Sequence, residues 1–122
     1  MMWRIDAASS EPLYAQLVVQ VRLAVAHGEL RAGERLPAAR ELATSLDLNM
    51  HTVLRAYQLL RDDGVVELRR GRGAVVTGRQ GADRAADLTA VERAIADLAT
   101  AAHRAGLSAE TTTTLVKEAM TR

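Results

Sequence analysis

Hydrophobic residues recur every three or four positions in the first half of the chain, which is the spacing of amphipathic helices. The pattern predicts a first helix between Ser10, which can cap it, and Gly28, which can end it. A second helix is predicted over about 38–46, and a third runs from a capping Asn49 to Gly64. The predicted buried side chains are Leu13, Leu17, Val18, Val21 and Val25, then Leu42, Ala43 and Leu46, and then Val53, Ala56, Tyr57 and Leu60.

Two short stretches rich in β-branched residues follow the third helix, at 65–68 and 74–77. The loop Arg69-Arg-Gly-Arg-Gly73 joins them, and its glycines can supply the positive φ angles of a tight hairpin. Residues 34–36 can add a very short strand. This order of helices and basic hairpin is typical of a winged helix-turn-helix. In that fold one helix enters the DNA major groove and the hairpin, or wing, lies on neighbouring phosphates.

The last third of the chain has a different pattern. Residues 78–84 are polar and contain glycine, which predicts a linker. Apolar residues then recur at alternating steps of three and four, as in a coiled-coil seam, and Gly106 and Ser108 separate this helix from a last one. The residues predicted to form a dimer interface are Leu88, Val91, Ile95, Leu98, Ala102, Leu115, Val116 and Met120. The seam could instead pack back on the first domain, but a two-fold operator needs a two-fold protein.

Composition narrows the class of protein. A chain of 122 residues has room for one domain and a short appendage, and its three aromatic residues leave an aliphatic core. No apolar run approaches the roughly 20 residues that span a bilayer, and no signal peptide is evident, so we expect a cytoplasmic protein. There is no cysteine, and the three histidines lack ligand spacing. We therefore expect no metal, no cofactor and no enzymatic activity, because no nucleophile pair is evident either.

The positive charge is concentrated although the net charge is only +1. Four arginines and no acidic residue lie between Arg69 and Arg79. Arginine suits planar, bidentate contact with phosphate or guanine. A cluster of this size is often only a solvated turn, but its place after a helix-turn-helix favours contact with DNA.

Several short motifs lie along the first two thirds of the chain. They are Pro12-Leu-Tyr14-x-Gln16, Gly28-x-Leu30-x-x-Gly33, Leu36-Pro37-x-x-Arg40-x-Leu42-Ala43, Thr52-Val53-x-x-Ala56-Tyr57-x-x-Leu60, Gly64 and Arg70-Gly71-x-Gly73-x-x-Val76. Together they resemble the DNA-binding domain of the GntR family of bacterial transcription regulators, over about residues 11–77. The short remainder is similar to the YtrA-like branch, whose members carry only two C-terminal helices for dimerisation.

The resemblance implies roles for individual residues. Arg40 matches a DNA-contacting arginine of the second helix. The start of the recognition helix and the wing tip match further DNA-contacting positions, which are Asn49, His51, Thr52, Arg70, Gly71 and Arg72. Met50 and Arg55 complete the predicted DNA-binding set, because the helical spacing places them away from the buried side of the same helix.

Three positions depart from the family pattern. Ala38 stands in place of a capping Ser, which removes a cap of about 1 kcal/mol. Asp47 stands in place of a turn Gly, and Asp tolerates the left-handed conformation. Met50 stands where many members have Arg or Pro, and it cannot donate to guanine.

The sequence therefore predicts a mostly α fold with a small β-hairpin: a winged helix-turn-helix over 1–78, a linker over 79–84, and a two-helix dimerisation hairpin over 85–122. The predicted function is a sequence-specific transcription regulator, a homodimeric repressor of a pseudo-palindromic operator in double-stranded DNA. Family analogy suggests a neighbouring transporter operon. The alternative is an architectural or partner-recruiting protein that binds DNA with low specificity. The sequence indicates no membrane partner and identifies no small-molecule effector.

Overall fold

A computed structural model describes residues 2–78 and 82–122, and for 82–85 it describes the backbone alone. The chain divides into two compact units, Met1–Leu88 and Thr89–Arg122. The helices are α1 (Leu13–Ala26), α2 (Ala39–Leu46), α3 (Met50–Asp62), α4 (Ala82–Arg104) and α5 (Ala109–Met120), and the strands are β1 (Val66–Arg69) and β2 (Gly73–Val76). The predicted mostly α fold with one hairpin is confirmed.

The core of the first unit is made of aliphatic side chains, as the composition predicted. Helices α1 and α2 both pack against α3. The residues without exposed surface are Leu17, Val21, Val53, Ala56 and Leu60. Trp3 packs against their cluster from the N-terminal segment. Burial of such residues stabilises a fold by roughly 1.5–3 kcal/mol each.

Helix α1 begins later than predicted. Its N-cap is Pro12, not Ser10, and no side chain among the described residues caps it. The preceding segment is instead held by two glutamines: the Asp6 amide donates to Gln16 Oε1 at 2.9 Å, and the Arg4 amide donates to Gln20 Oε1 at 2.7 Å. Since Gln16 and Gln20 lie one helical turn apart, they bind alternate residues of an extended segment.

The turn between α2 and α3 follows the predicted chemistry. Asp47 is left-handed, with φ of 55°, and it is the one non-glycine residue with positive φ in the described chain. Asn49 caps α3 by accepting from the His51 amide at 2.8 Å. No side chain of the described residues caps α2 at Ala38, in agreement with the missing serine.

The two strands pair antiparallel, with Val66 opposite Val76. Compared with the prediction, β1 begins and ends one residue later and β2 one residue earlier. The predicted end residues Val65 and Thr77 still face each other, since the Thr77 amide donates to the Val65 carbonyl at 3.0 Å. The predicted third strand over 34–36 exists as a single bridge between Arg35 and Val75. The Leu36 amide donates to the Ala74 carbonyl at 2.8 Å, which ties the approach to α2 onto the hairpin.

Helix α4 begins earlier than the predicted dimerisation region. Residues 79–81 of the predicted linker lie outside the described residues, and residues 82–84 form the start of α4. Alanine at 82, 85 and 86 favours this early start. Ser108 caps α5 as predicted, by accepting from the Thr111 amide at 3.1 Å. Within the described residues, no helix has both the length and the apolar character that a bilayer span requires.

Candidate nucleic-acid interface

Three parts of the first unit border one groove of about 220 Å3: the start of α2, one side of α3, and the hairpin. One hydrogen bond fixes two of these parts, since the Tyr57 hydroxyl on α3 donates to the Pro37 carbonyl at 2.7 Å. Burial raises the pKa of Tyr57, so its hydroxyl stays protonated and remains a donor. The groove is lined by Pro37, Ala38, Ala39, Leu54, Tyr57, Gln58, Leu68, Gly73 and Ala74.

The start of α3 carries four of the predicted DNA-binding residues. His51 is exposed, and Thr52 beside it is half-buried. Asn49 is exposed, but its side-chain oxygen already accepts from the His51 amide, so its NH2 group is what remains to donate outward. Met50 is half-buried and packs against the core cluster, which directs it toward the fold and leaves it little surface for DNA.

The two predicted arginines on the helices are both exposed. Arg40 is the second residue of α2. Arg55 lies on α3 with its guanidinium carbon 4.0 Å from the centre of the Tyr14 ring of α1. That distance is within the range of a cation–π interaction.

The wing carries its arginines at the tip. Arg70, Gly71 and Arg72 are exposed, and Gly71 and Gly73 have the positive φ values, 79° and 72°, that the turn requires. The neighbouring Arg69 differs from them, because its guanidinium donates to Glu67 Oε2 at 2.9 Å. Arg70 and Arg72 are therefore the better candidates for phosphate contact.

Sequence reasoning missed some residues of this region. Tyr14 belongs to a family motif, yet nothing in its local spacing indicates that it contacts Arg55. Leu54 and Gln58 were not predicted as site residues, because their place beside the hairpin depends on how the hairpin packs.

The predicted dimer residues lie on the C-terminal helices and most are exposed in the single chain. Those with exposed side chains are Val91, Ile95, Leu98, Leu115, Val116 and Met120. Leu88 is half-buried. Ala102 is buried by its own hairpin, because the turn brings the Leu107 amide to its carbonyl at 2.9 Å, so it retains little surface for a partner.

The second unit also contains an apolar groove of about 340 Å3 between α4 and α5. Ile95 and Leu98 line it from α4, and Leu107 lines it from the turn. In the part of the chain that the structure describes, no group of three or more His, Asp or Glu residues is arranged to hold a metal ion.

Comparisons with known proteins agree with this architecture. The family described as "Bacterial regulatory proteins, gntR family" matches residues 13–76. The chain is 33% identical over 118 residues to the HTH-type transcriptional repressor YtrA of Bacillus subtilis (strain 168), a match that covers 96% of this chain and 91% of that protein. It is 39% identical over 74 residues to the HTH-type transcriptional regulator Rv1152 of Mycobacterium tuberculosis (strain ATCC 25618 / H37Rv), which covers 61% of each chain.

A solved structure supports the same assignment. YtrA from Sulfolobus acidocaldarius, a GntR-family transcription factor, superposes with a TM-score of 0.61 at 36% identity, over 79% of this chain and 99% of that one. Both the family match and the long match to a curated repressor include the recognition helix and the wing. The chain therefore belongs to the gntR family of bacterial regulatory proteins, and it is a DNA-binding transcription regulator and not an enzyme.

Proposed function

We propose that this protein is a cytoplasmic, homodimeric repressor that binds a pseudo-palindromic operator. The observation that carries the proposal is the groove in the first unit. There the start of α2, the exposed side of α3 and the wing meet, with exposed arginines on each of the three elements. Repression, as opposed to activation, is proposed because the similar protein from Bacillus subtilis is named a transcriptional repressor.

The residues divide into two roles by position. Arg40, Arg55, Arg70 and Arg72 carry a charge that can neutralise phosphates, and such contacts position a protein without reading sequence. His51 and Thr52 lie on the first turn of α3, where side chains of a recognition helix reach base edges. Asn49 can add its NH2 group, and Gly71 lets the wing backbone approach the DNA closely.

The dimer is proposed from the second unit. Two helices expose a series of large apolar side chains, Ile95 at 58% and Met120 at 81% among them. A set of large exposed apolar side chains on two short helices favours an interaction site. A second copy is the occupant that would also supply the two-fold symmetry of an operator.

The alternative is a protein that binds DNA with little specificity. Such binding depends mainly on phosphate neutralisation, and the net charge of +1 gives it little support. The exposed His51 at the start of α3 favours base contacts over purely electrostatic binding.

In vitro selection from a random DNA pool tests both functions together. The full chain is incubated with the pool, and bound duplexes are recovered and sequenced over several rounds. We expect two inverted half-sites whose centres lie about one helical turn, roughly 10 base pairs, apart or a multiple of that. Recovery of duplexes without a shared sequence would favour the low-specificity alternative.

A further inference from the structure

The Tyr14 ring lies against a cation of the recognition helix. Tyr14 is the second residue of α1, is half-buried and packs against the core cluster. The Arg55 guanidinium carbon lies 4.0 Å from the ring centre, while the side chain of Arg55 remains exposed overall. The ring therefore covers part of the cation and leaves the rest accessible.

The ring is a fixed surface because α1 is anchored on both sides of it. Leu17, less than one turn farther along the helix, has no exposed surface. Gln16 binds the segment that precedes the helix, with Nε2 donating to the Glu11 carbonyl at 2.9 Å and to the Asp6 carbonyl at 3.0 Å. A contact with this ring restricts a long side chain that would otherwise sample many rotamers.

The contact leaves the hydrogen-bonding capacity of Arg55 unused. Three other arginines of the first unit donate to carboxylates: Arg22 to Asp63, Arg61 to Asp62 and Arg69 to Glu67. Within the described residues, no carboxylate or carbonyl accepts a hydrogen bond from Arg55. A cation–π contact holds a guanidinium without a hydrogen-bond acceptor. The N–H groups of Arg55 can therefore still donate to a phosphate or a guanine edge.

We propose that Tyr14 is a positioning residue for DNA binding, which holds the Arg55 guanidinium in place and leaves its N–H groups to the DNA. The inference rests on the proposed function, because it needs Arg55 at the DNA interface. Tyr14 would strengthen binding because it orders the Arg55 side chain before DNA binds. Arg55 then loses less conformational freedom when it contacts the DNA.

A double-mutant cycle on the full chain tests this coupling. The variants are Tyr14→Leu, Arg55→Ala and the two combined, with Tyr14→Phe as the matched control that keeps the ring. Affinity is measured by fluorescence anisotropy, at fixed ionic strength, on a duplex that the unmodified chain selected from a random pool. Tyr14→Leu should weaken binding about twofold to fivefold per half-site, the scale of ordering one long side chain on binding. Tyr14→Phe should change little, and Tyr14→Leu should have no further effect once Arg55 is Ala.

NMR spectroscopy distinguishes a loss of the contact between Tyr14 and Arg55 from a loss of folding. In the free protein the ring current of Tyr14 should shift the NMR signals of the Arg55 side chain upfield, in Tyr14→Phe as well, and the shift should disappear in Tyr14→Leu. Thermal unfolding checks that Tyr14→Leu is folded, and Tyr14→Met replaces it if it is not.

The outcomes separate the inference from the function it rests on. The positioning role would be overturned if Tyr14→Leu lowered the affinity equally in the unmodified chain and in the Arg55→Ala variant. It would also be overturned if Tyr14→Leu lowered the affinity in neither. Wild-type affinity of Arg55→Ala would remove Arg55 from the interface and overturn the inference, while leaving the proposed roles of His51 and the wing intact. Failure of the unmodified chain to select any DNA would instead refute the proposed function.

Discussion

The two units of this protein differ in how much of their apolar side chains they bury. In the first, α1, α2, α3 and the hairpin enclose Leu17, Val53 and Leu60 without exposed surface. In the second, α4 and α5 leave Ile95 58% exposed and Leu115 50% exposed. Both units have clear helical periodicity, so periodicity alone does not decide whether an apolar side chain is buried.

The difference follows from the number of packing faces. A helix covered on several sides, as α3 is by α1, α2 and β1, can bury its whole apolar stripe. Two helices of a hairpin cover only the strip between them, and the remaining apolar surface stays in water. The first unit therefore encloses its apolar core, whereas the second leaves apolar side chains in water that the proposed dimer would cover.

The largest expected effect comes from a charge placed in the exposed stripe. Ile95→Asp or Leu98→Asp should convert the proposed dimer into a monomer, because burying an unpaired charge in both copies outweighs what the remaining apolar side chains contribute. Affinity for the operator should fall by about 10²-fold or more, since one subunit no longer holds the other near its half-site. Sedimentation and an operator shift assay measure the two effects.

Thr100→Asp is the matched control for that prediction. Thr100 is exposed on the same helix, but about 140° around the helix axis from Ile95 at 3.6 residues per turn. This variant should stay dimeric and retain its affinity. A dimer that survived both Ile95→Asp and Leu98→Asp would contradict the assignment of the second unit to dimerisation.

A pair of truncations compares the two kinds of apolar residue directly. Leu60→Ala should lower the free energy of unfolding by about 2–5 kcal/mol, because it opens a cavity in a closed core. Leu115→Ala, made in the Ile95→Asp background, should change it by less than about 0.5 kcal/mol, because its side chain is half exposed without a partner. Urea denaturation measures both. Equal losses of stability would mean that the second unit has a closed core of its own.

Base reading should depend on the first unit alone. His51→Ala should weaken operator binding by about 1–3 kcal/mol and relax the preference at particular base pairs, since alanine cannot hydrogen-bond to a base edge. The dimer should persist in sedimentation, because His51 lies outside the second unit. Titration of the same variant on random DNA is the control. An equal fall in affinity on both duplexes would assign His51 to positioning and not to specificity.

The smallest expected effect concerns the wing. Arg70→Ala or Arg72→Ala should weaken operator and random DNA binding alike, and the slope of log affinity against log salt should fall by about 1 for each phosphate that is no longer neutralised. Arg104→Ala removes an exposed cation from α4 instead and should leave the slope unchanged. If the wing variants also kept the slope, the wing would not bind phosphates.

Local chemistry was sufficient to predict most elements of the fold. Asn49 and Ser108 cap the helices that their positions indicated, and Asp47 adopts the left-handed turn. Each of these features depends on a few neighbouring residues, so it can be deduced from the sequence. The starts of α1 and α4 were less well predicted, because several adjacent residues can begin a helix at similar free energy.

Contacts between distant residues were decided only by the tertiary structure. The sequence and its family resemblance predicted DNA-binding roles for Arg40, His51, Arg55 and the wing arginines. They did not predict the ring of Tyr14 beside Arg55 or the hydrogen bond from Tyr57 to Pro37. Those contacts exist because α1 and the approach to α2 pack against particular sides of α3. Periodicity determines which side of a helix is apolar, whereas the packing of its neighbours determines how much of that side is covered. That is why Leu60 is buried while Ile95, at an equally regular position, remains exposed.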